Sequence, residues 1–291
     1  MKAIKNLLKF TAIVTLLLCN TQIQAQELTK TNLWKVEGKG IKTSYVFGTI
    51  HILPQEQFVI KDKVKKAFEA TERVALEIDM ADSGFASEVM KHAYLNKGEE
   101  LKSYMSDEEF KLLDDHLKLK NGKGLMTYNN AKPLMLMSAI MTSSVEGEMA
   151  SYEMSLMTMA MQAQKEIDGL ESFASQVAIF DDKPYEEQID DIVEMIEKPE
   201  ESKEVFATMT RLYLSEDLTE MYNYTDEFLK VDAAMKHKLL DDRNEKWIPK
   251  IKEFSKSYAM FYAVGAGHLA GENGVINLLK REGFTVTPVL D

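Results

Sequence analysis

Ser44-Tyr45-Val46-Phe47-Gly48-Thr49-Ile50-His51 and Phe261-Tyr262-Ala263-Val264-Gly265-Ala266-Gly267-His268 say the same thing at opposite ends of the chain. Each is a short apolar run followed by Gly-x-x-His. The runs read as buried strands, and the glycine lets the backbone turn as it leaves a sheet. The histidine, three residues later, is then presented in a loop at the strand's carboxyl end, the edge where open α/β sheets bind ligands. If the two strands are neighbours, two imidazoles face one point. Arg73-Val74-Ala75-Leu76-Glu77-Ile78-Asp79 is a further buried strand that brings Glu77 toward the same edge.

Around these runs the remaining elements fall into place. Leu33 to Gly38 alternates and ends in a Gly-Lys-Gly turn, so it forms a hairpin with the strand from Ser44. Lys61 to Thr71 has helical spacing through Val64, Ala67 and Phe68, giving a strand–helix–strand unit with Arg73–Asp79 and a parallel pair. Residues of about 83–255 are mainly helical, with helices near 133–146, 149–164, 185–197, 201–214 and 231–255. Ser106-Asp107-Glu108-Glu109 caps another, and Glu166 to Leu170 is one short strand among them. Tyr258 to Val264, Gly274 to Glu282 and Phe284 to Leu290 close the chain as strand, helix and strand. The fold class is therefore α/β: a central mixed sheet flanked by helices, with a large helical middle section. No Gly/Ser-rich linker divides it, so residues 26–291 read as one domain.

Composition narrows the function. The chain has 291 residues, 45% hydrophobic and 28% charged, as a folded chain should be. Its formal charge of −12 argues against nucleic acid or an anionic membrane as main partner. Residues 1–25 combine a basic head (Lys2, Lys5, Lys9), an apolar run from Phe10 to Leu18 and a small residue at Ala25, the pattern of a secretory signal peptide. Leu18 disfavours acylation of Cys19. Cleavage after Ala25 would move the charge to −15, remove the single cysteine and leave a soluble periplasmic or secreted protein. Thiol catalysis and cysteine metal ligands are then excluded, and no disulfide is available.

Two imidazoles and one carboxylate can bind a divalent ion and leave positions for water or substrate. Such an ion acidifies water and polarises a carbonyl, the means of hydrolysis. Zn, Mn, Co and Fe all suit these ligands. The alternative is that His51 and His268 only cap strands and Glu77 is a buried acid held by an arginine. His92, His116 and His237 read as surface residues on helices. Nine of the 18 methionines fall between Met126 and Met161, a stripe that suits core packing, an adaptable peptide groove or copper. There is no His-Glu-x-x-His helix, nucleophile elbow or P-loop. Gly265 to Gly271 is followed by too little chain for a nucleotide-binding half.

Gly48-Thr49-Ile50-His51, Leu76-Glu77, Gly169-Leu170-Glu171 with Gln176, Asp242-Arg243-Asn244 and Gly265-Ala266-Gly267-His268 resemble, in order and spacing, the TraB/GumN family, which includes the Tiki proteases. The resemblance covers the chain from Leu33 to the last strand. It implies a sheet related to those of erythromycin-esterase-like and haem-binding proteins, and metal-dependent cleavage of peptides or secreted proteins. It places His51, Glu77 and His268 at the metal. Glu171 would be a further ligand or the general base; Arg243 would orient a carboxylate or stabilise an oxyanion. An ion pair between Glu171 and Arg243 is the structural alternative, and Tyr152-Glu153 is a candidate for the same cleft. The expected function is an exported metallopeptidase. The competing expectations are a non-catalytic protein that sequesters a peptide, haem or metal, and a non-haem iron oxygenase.

Overall fold

The computed structural model describes residues 28–145, 147–229 and 233–291; the expected signal peptide and Cys19 lie outside them. Eight strands are present among these residues: β1 (Leu33–Glu37), β2 (Ser44–Thr49), β3 (Leu53–Pro54), β4 (Arg73–Ile78), β5 (Met149–Ala150), β6 (Ile167–Glu171), β7 (Met260–Gly265) and β8 (Thr285–Pro288). Six of them form one sheet in the order β6-β4-β7-β2-β1-β8. β6, β4, β7 and β2 run parallel, while β1 is antiparallel to both β2 and β8. The sheet is thus mixed, as the sequence implies.

The two repeated strands are neighbours. β2 and β7 pair in parallel from Tyr45↔Phe261 to Thr49↔Gly265. Gly48 lies opposite Val264, so the second Gly-x-x-His loop starts one residue further along the edge. One expectation is refined here. β2 and β4 flank helix α1 (Asp62–Glu69) in sequence, yet β7 lies between them in the sheet. Val74, Ala75 and Leu76 of β4 and Met260 to Val264 of β7 are all at most 1% exposed. Continuous burial of this kind belongs to strands covered on both faces. α1 covers one face with Val64, Ala67 and Phe68, which recur at helical spacing.

Between β4 and β7 run α2 (Phe85–His92), α3 (Asp107–Asn121), α4 (Pro133–Ser144), α5 (Tyr152–Gln162), α6 (Phe173–Phe180), α7 (Tyr185–Glu197), α8 (Pro199–Leu214), α9 (Leu218–Leu229) and α10 (Asp242–Ser257). α11 (Val275–Arg281) follows β7. α3 carries a full capping box between Ser106 and Glu109 and ends at Gly122 with φ 72°. Leu113 and Leu117 of α3, Leu136 and Ile140 of α4 and Ile189 and Ile192 of α7 form a second apolar cluster apart from the sheet's core.

The helix expected over 149–164 starts later, because Met149–Ala150 pairs with Leu53–Pro54 and Ser151 then caps α5. The helix expected over 231–255 is interrupted: Ala233–Lys236 leads into a π-helical segment, His237–Asp241, before α10. In the methionine-rich stretch, Tyr152, Leu156 and Ala160 fill the buried face of α5, while Met126, Met141, Met154 and Met161 are exposed. No helix among the described residues is long and apolar enough to cross a membrane.

Candidate active site

Glu77, Glu171, Arg243 and His268 meet at the carboxyl edge of the four parallel strands. β4 delivers Glu77, β6 delivers Glu171, the turn after β7 delivers His268, and the first turn of α10 delivers Arg243 from above. All four side chains are about one-tenth exposed or less. Arg243 is the hub. Its Nε donates to Glu171 Oε1 at 2.9 Å, and its Nη2 donates to Glu77 Oε2 and Glu171 Oε1, each at 2.5 Å. Its Nη1 donates to the Leu239 carbonyl at 2.9 Å and to His268 Nε2 at 3.0 Å. Leu239 lies in the π-helical segment, where the widened turn presents its carbonyl to a side chain one turn on.

This network fixes the tautomer of His268. A guanidinium only donates, so Nε2 accepts and Nδ1 carries the proton, which goes to Asn244 Oδ1 at 2.7 Å. The ring packs at a 46° tilt against the fully buried indole of Trp247, centroids 4.6 Å apart. Burial is the main force on its basicity, with Arg243 adding to it and Glu77 opposing it, and the pKa falls to about 3. His268 is therefore neutral near neutral pH. For Glu77, burial alone would raise the pKa; the positive charges facing it, Arg243 among them, and the Gly265 N–H at 2.7 Å outweigh burial and bring it to about 2. Gln176, on α6, bridges the carboxylates through Nε2, at 3.1 Å from Glu77 and 2.9 Å from Glu171.

His51 belongs to the same edge but makes a different bond. Its Nδ1 lies 3.0 Å from Glu153 Oε1, and its side chain is 71% exposed. Glu153, in the first turn of α5, also accepts from Thr49 Oγ1 at 2.6 Å and Ser151 Oγ at 2.9 Å. The Glu153 hydrogen bond is the largest influence on His51 and lifts its pKa to about 9, with Glu77 and Arg243 acting from further away. Four of the five expected site residues thus form one bonded cluster, and His51 stands beside it on Glu153.

The glycines act by space rather than by conformational freedom. A Cβ on Gly48 would lie 2.9 Å from Leu269 Cδ1 and 3.1 Å from Ala266 Cα, so the two loops approach only because it is absent. A Cβ on Gly265 would press Glu77 Oε1 at 3.3 Å and touch His268 at an ordinary 3.5 Å. Of the remaining histidines, His237 is exposed on Asp242. His116 departs from a surface role: its Nε2 is buried with no partner among the described residues.

The donors fit a divalent ion in kind. Each imidazole is anchored at Nδ1 by an oxygen, the arrangement that orients metal-bound histidines, and Glu77 is ionised beside them. As arranged, Arg243 holds the place between Glu77 and His268, and among the described residues no three His, Cys, Asp or Glu side chains are disposed around one ion.

The model of the TraB/PrgY/gumN family matches residues 32–288. The chain belongs to this family. It is similar to Metalloprotease TIKI1 of Homo sapiens, with 23% identity over 92% of this chain and 63% of that protein. Metalloprotease TIKI1 of Danio rerio is 22% identical over 92% of this chain and 65% of its own length. Metalloprotease TIKI2 of Xenopus tropicalis is 23% identical over 90% and 60%. The chain thus spans less than two thirds of the length of these relatives. No solved structure matches it.

Proposed function

We propose that this TraB/PrgY/gumN member is an exported, metal-dependent hydrolase of peptide bonds, with His51, Glu77 and His268 as metal ligands. The observation that carries the reading is the convergence at one sheet edge of two imidazoles, each held through Nδ1 by an oxygen acceptor, with a carboxylate kept ionised by buried neighbours. Membership of a family with relatives named metalloproteases supports it. The acidic excess and the leader-like residues 1–25 support export and a peptide substrate over nucleic acid.

A bound divalent ion would supply Lewis acidity toward a peptide carbonyl and toward water. The chain's own residues have the following parts. Glu171 accepts the proton from the attacking water: Arg243 and Gln176 occupy its Oε1, while its Oε2 carries only a long contact of 3.5 Å from Ser175. Arg243 is a positioning residue. Its five N–H groups are all engaged in this structure, which aligns the two carboxylates; a metal on His268 Nε2 would displace Nη1 from that nitrogen and free one donor. Asn244 and Glu153 orient the imidazoles. His51 must release a proton before its ring can act as a ligand, so metal uptake is coupled to proton release.

The same saturation of Arg243 favours a second reading, a non-catalytic protein that sequesters a peptide in the cleft. The test is incubation of the protein with a mixed peptide library and Mn, Zn, Co or Fe(II) ions, read by mass spectrometry. Hydrolysis reversed by chelator and abolished by Glu171→Gln supports the hydrolase. Tight peptide binding with no cleavage under any metal supports sequestration.

A further inference from the structure

One guanidinium reaches both Glu77 and His268. Arg243 Nη1 donates to His268 Nε2 at 3.0 Å, and Nη2 donates to Glu77 Oε2 at 2.5 Å. Nδ1 of His268 is committed to Asn244, so Nε2 is the nitrogen through which the ring could hold an ion. An imidazole nitrogen that accepts has a single lone pair, and Nη1 and an ion cannot share it. Two cations between the same carboxylate and imidazole also repel one another.

Neither Glu77 nor His268 relies on Arg243 alone for its place. Glu77 Oε1 accepts from the Gly265 N–H at 2.7 Å, and its Oε2 accepts from Gln176 at 3.1 Å. His268 is held by Asn244 at 2.7 Å and by the indole of Trp247. Arg243, in turn, does not rely on these two. Its Nε and Nη2 both donate to Glu171 Oε1, at 2.9 and 2.5 Å, and Nη1 donates to the Leu239 carbonyl. Its Cζ lies 4.9 Å from the centre of the Trp247 ring, a cation–π contact. A guanidinium tethered in this way can leave Glu77 and His268 and keep its charge on Glu171.

On the reading of His51, Glu77 and His268 as metal ligands, we propose that Arg243 is a built-in competitor of the ion: it caps His268 Nε2 and Glu77 Oε2, gives up both atoms on metal uptake, and stays tethered to Glu171. Arg243 thereby sets the metal affinity of the site. Its release frees one N–H on Nη1 and one on Nη2, donors of the kind that stabilise a carbonyl oxygen as it gains charge. Removing Arg243 weakens the fold yet tightens metal binding, because uptake then displaces no bound cation. One hydrogen bond to a charged group corresponds to about tenfold or more in affinity.

The test uses the full chain and zinc ions. Calorimetry compares wild type, Arg243→Gln and Arg243→Gln/His268→Ala, the first change keeping an amide for Glu171 while removing the charge. Arg243→Gln binds one zinc ion about tenfold or more tightly than wild type, and adding His268→Ala removes that gain. NMR hydrogen exchange of the arginine side chain gives a second reading on the wild type itself. Saturating zinc speeds exchange of the Arg243 Nη protons at least tenfold, while the Nε proton on Glu171 stays protected. If Arg243→Gln does not fold, this exchange measurement decides alone. Equal or weaker zinc binding by Arg243→Gln, or unchanged Nη protection in zinc-bound wild type, overturns the proposal and leaves the metal-site reading standing. A gain that survives His268→Ala overturns it as well. Zinc bound by Arg243→Gln but not by wild type supports the competition and overturns the hydrolase reading. Zinc bound by neither overturns both.

Discussion

Replacing Arg243 with methionine removes the cation on which the buried cluster depends. The side chains of Arg243, Glu77 and Glu171 are only 10–11% exposed. In the variant Glu77 Oε2 keeps only the Gln176 amide, Glu171 Oε1 keeps the same amide, and His268 Nε2 and the Leu239 carbonyl each lose a donor. Breaking a buried ion pair from one side costs about 3–5 kcal/mol, because the remaining charge stays buried and unpaired. That is a large part of a typical total of about 5–15 kcal/mol. The cost depends on pH in a defined sense. In the wild type Glu77 is held at about pKa 2, below its ordinary 4.5, so its stabilisation is present above 4.5 and lost as pH falls through about 2. Without Arg243, burial dominates and pushes Glu77 upward, so mild acid neutralises it and relieves the penalty. Urea denaturation of Arg243→Met and wild type, with matching m values, should show the full loss near neutral pH and a clearly smaller one at about pH 5. A loss below about 1 kcal/mol at neutral pH, or one that does not change with pH, refutes the placement of Arg243 as the neutralising charge.

Glu153→Gln should return His51 from about 9 toward its ordinary 6.5, followed by the imidazole ring protons in NMR titration; an unchanged value would show that Glu153 is not the cause. A raised pKa means that the His51–Glu153 pair stabilises fully below 6.5 and loses its effect as pH rises through about 9, so the stability gap between wild type and this variant should close in alkali. Gly48→Val forces a side chain against Ala266 and Leu269 and should cost about 1–3 kcal/mol in chemical denaturation. Ser106→Ala removes the α3 capping box and should cost about 1 kcal/mol, and thermal melting that does not shift would contradict the cap.

The placement of the candidate site at one sheet edge was legible in sequence where the signal is local and repeated. Two apolar runs ending in Gly-x-x-His identify β2 and β7, and their parallel pairing brings the loops together. Glu77 is readable as an acid at the end of an otherwise apolar run. The insertion of β7 between β2 and β4 is not readable, because strand order depends on contacts between segments about two hundred residues apart. Glu153 gave only a weak sign. Its role depends on β5, two residues long and too short for any periodicity, which sets the start of α5. Arg243 is visible as a charged residue in Asp242-Arg243-Asn244, yet its position at the centre follows from the reach of its side chain and from the π-helical carbonyl of Leu239. The glycines were legible as necessary, but the reason is close approach of two loops rather than a turn.

The most direct measurement is the metal content of the purified protein after equilibration with each divalent ion and removal of free ion, run beside the His51→Ala/His268→Ala double variant. The account predicts close to one tightly held ion per wild-type chain, proton release on uptake, and loss of that ion in the folded double variant. Full occupancy in the double variant, or a wild type that retains no ion of any kind, would contradict it.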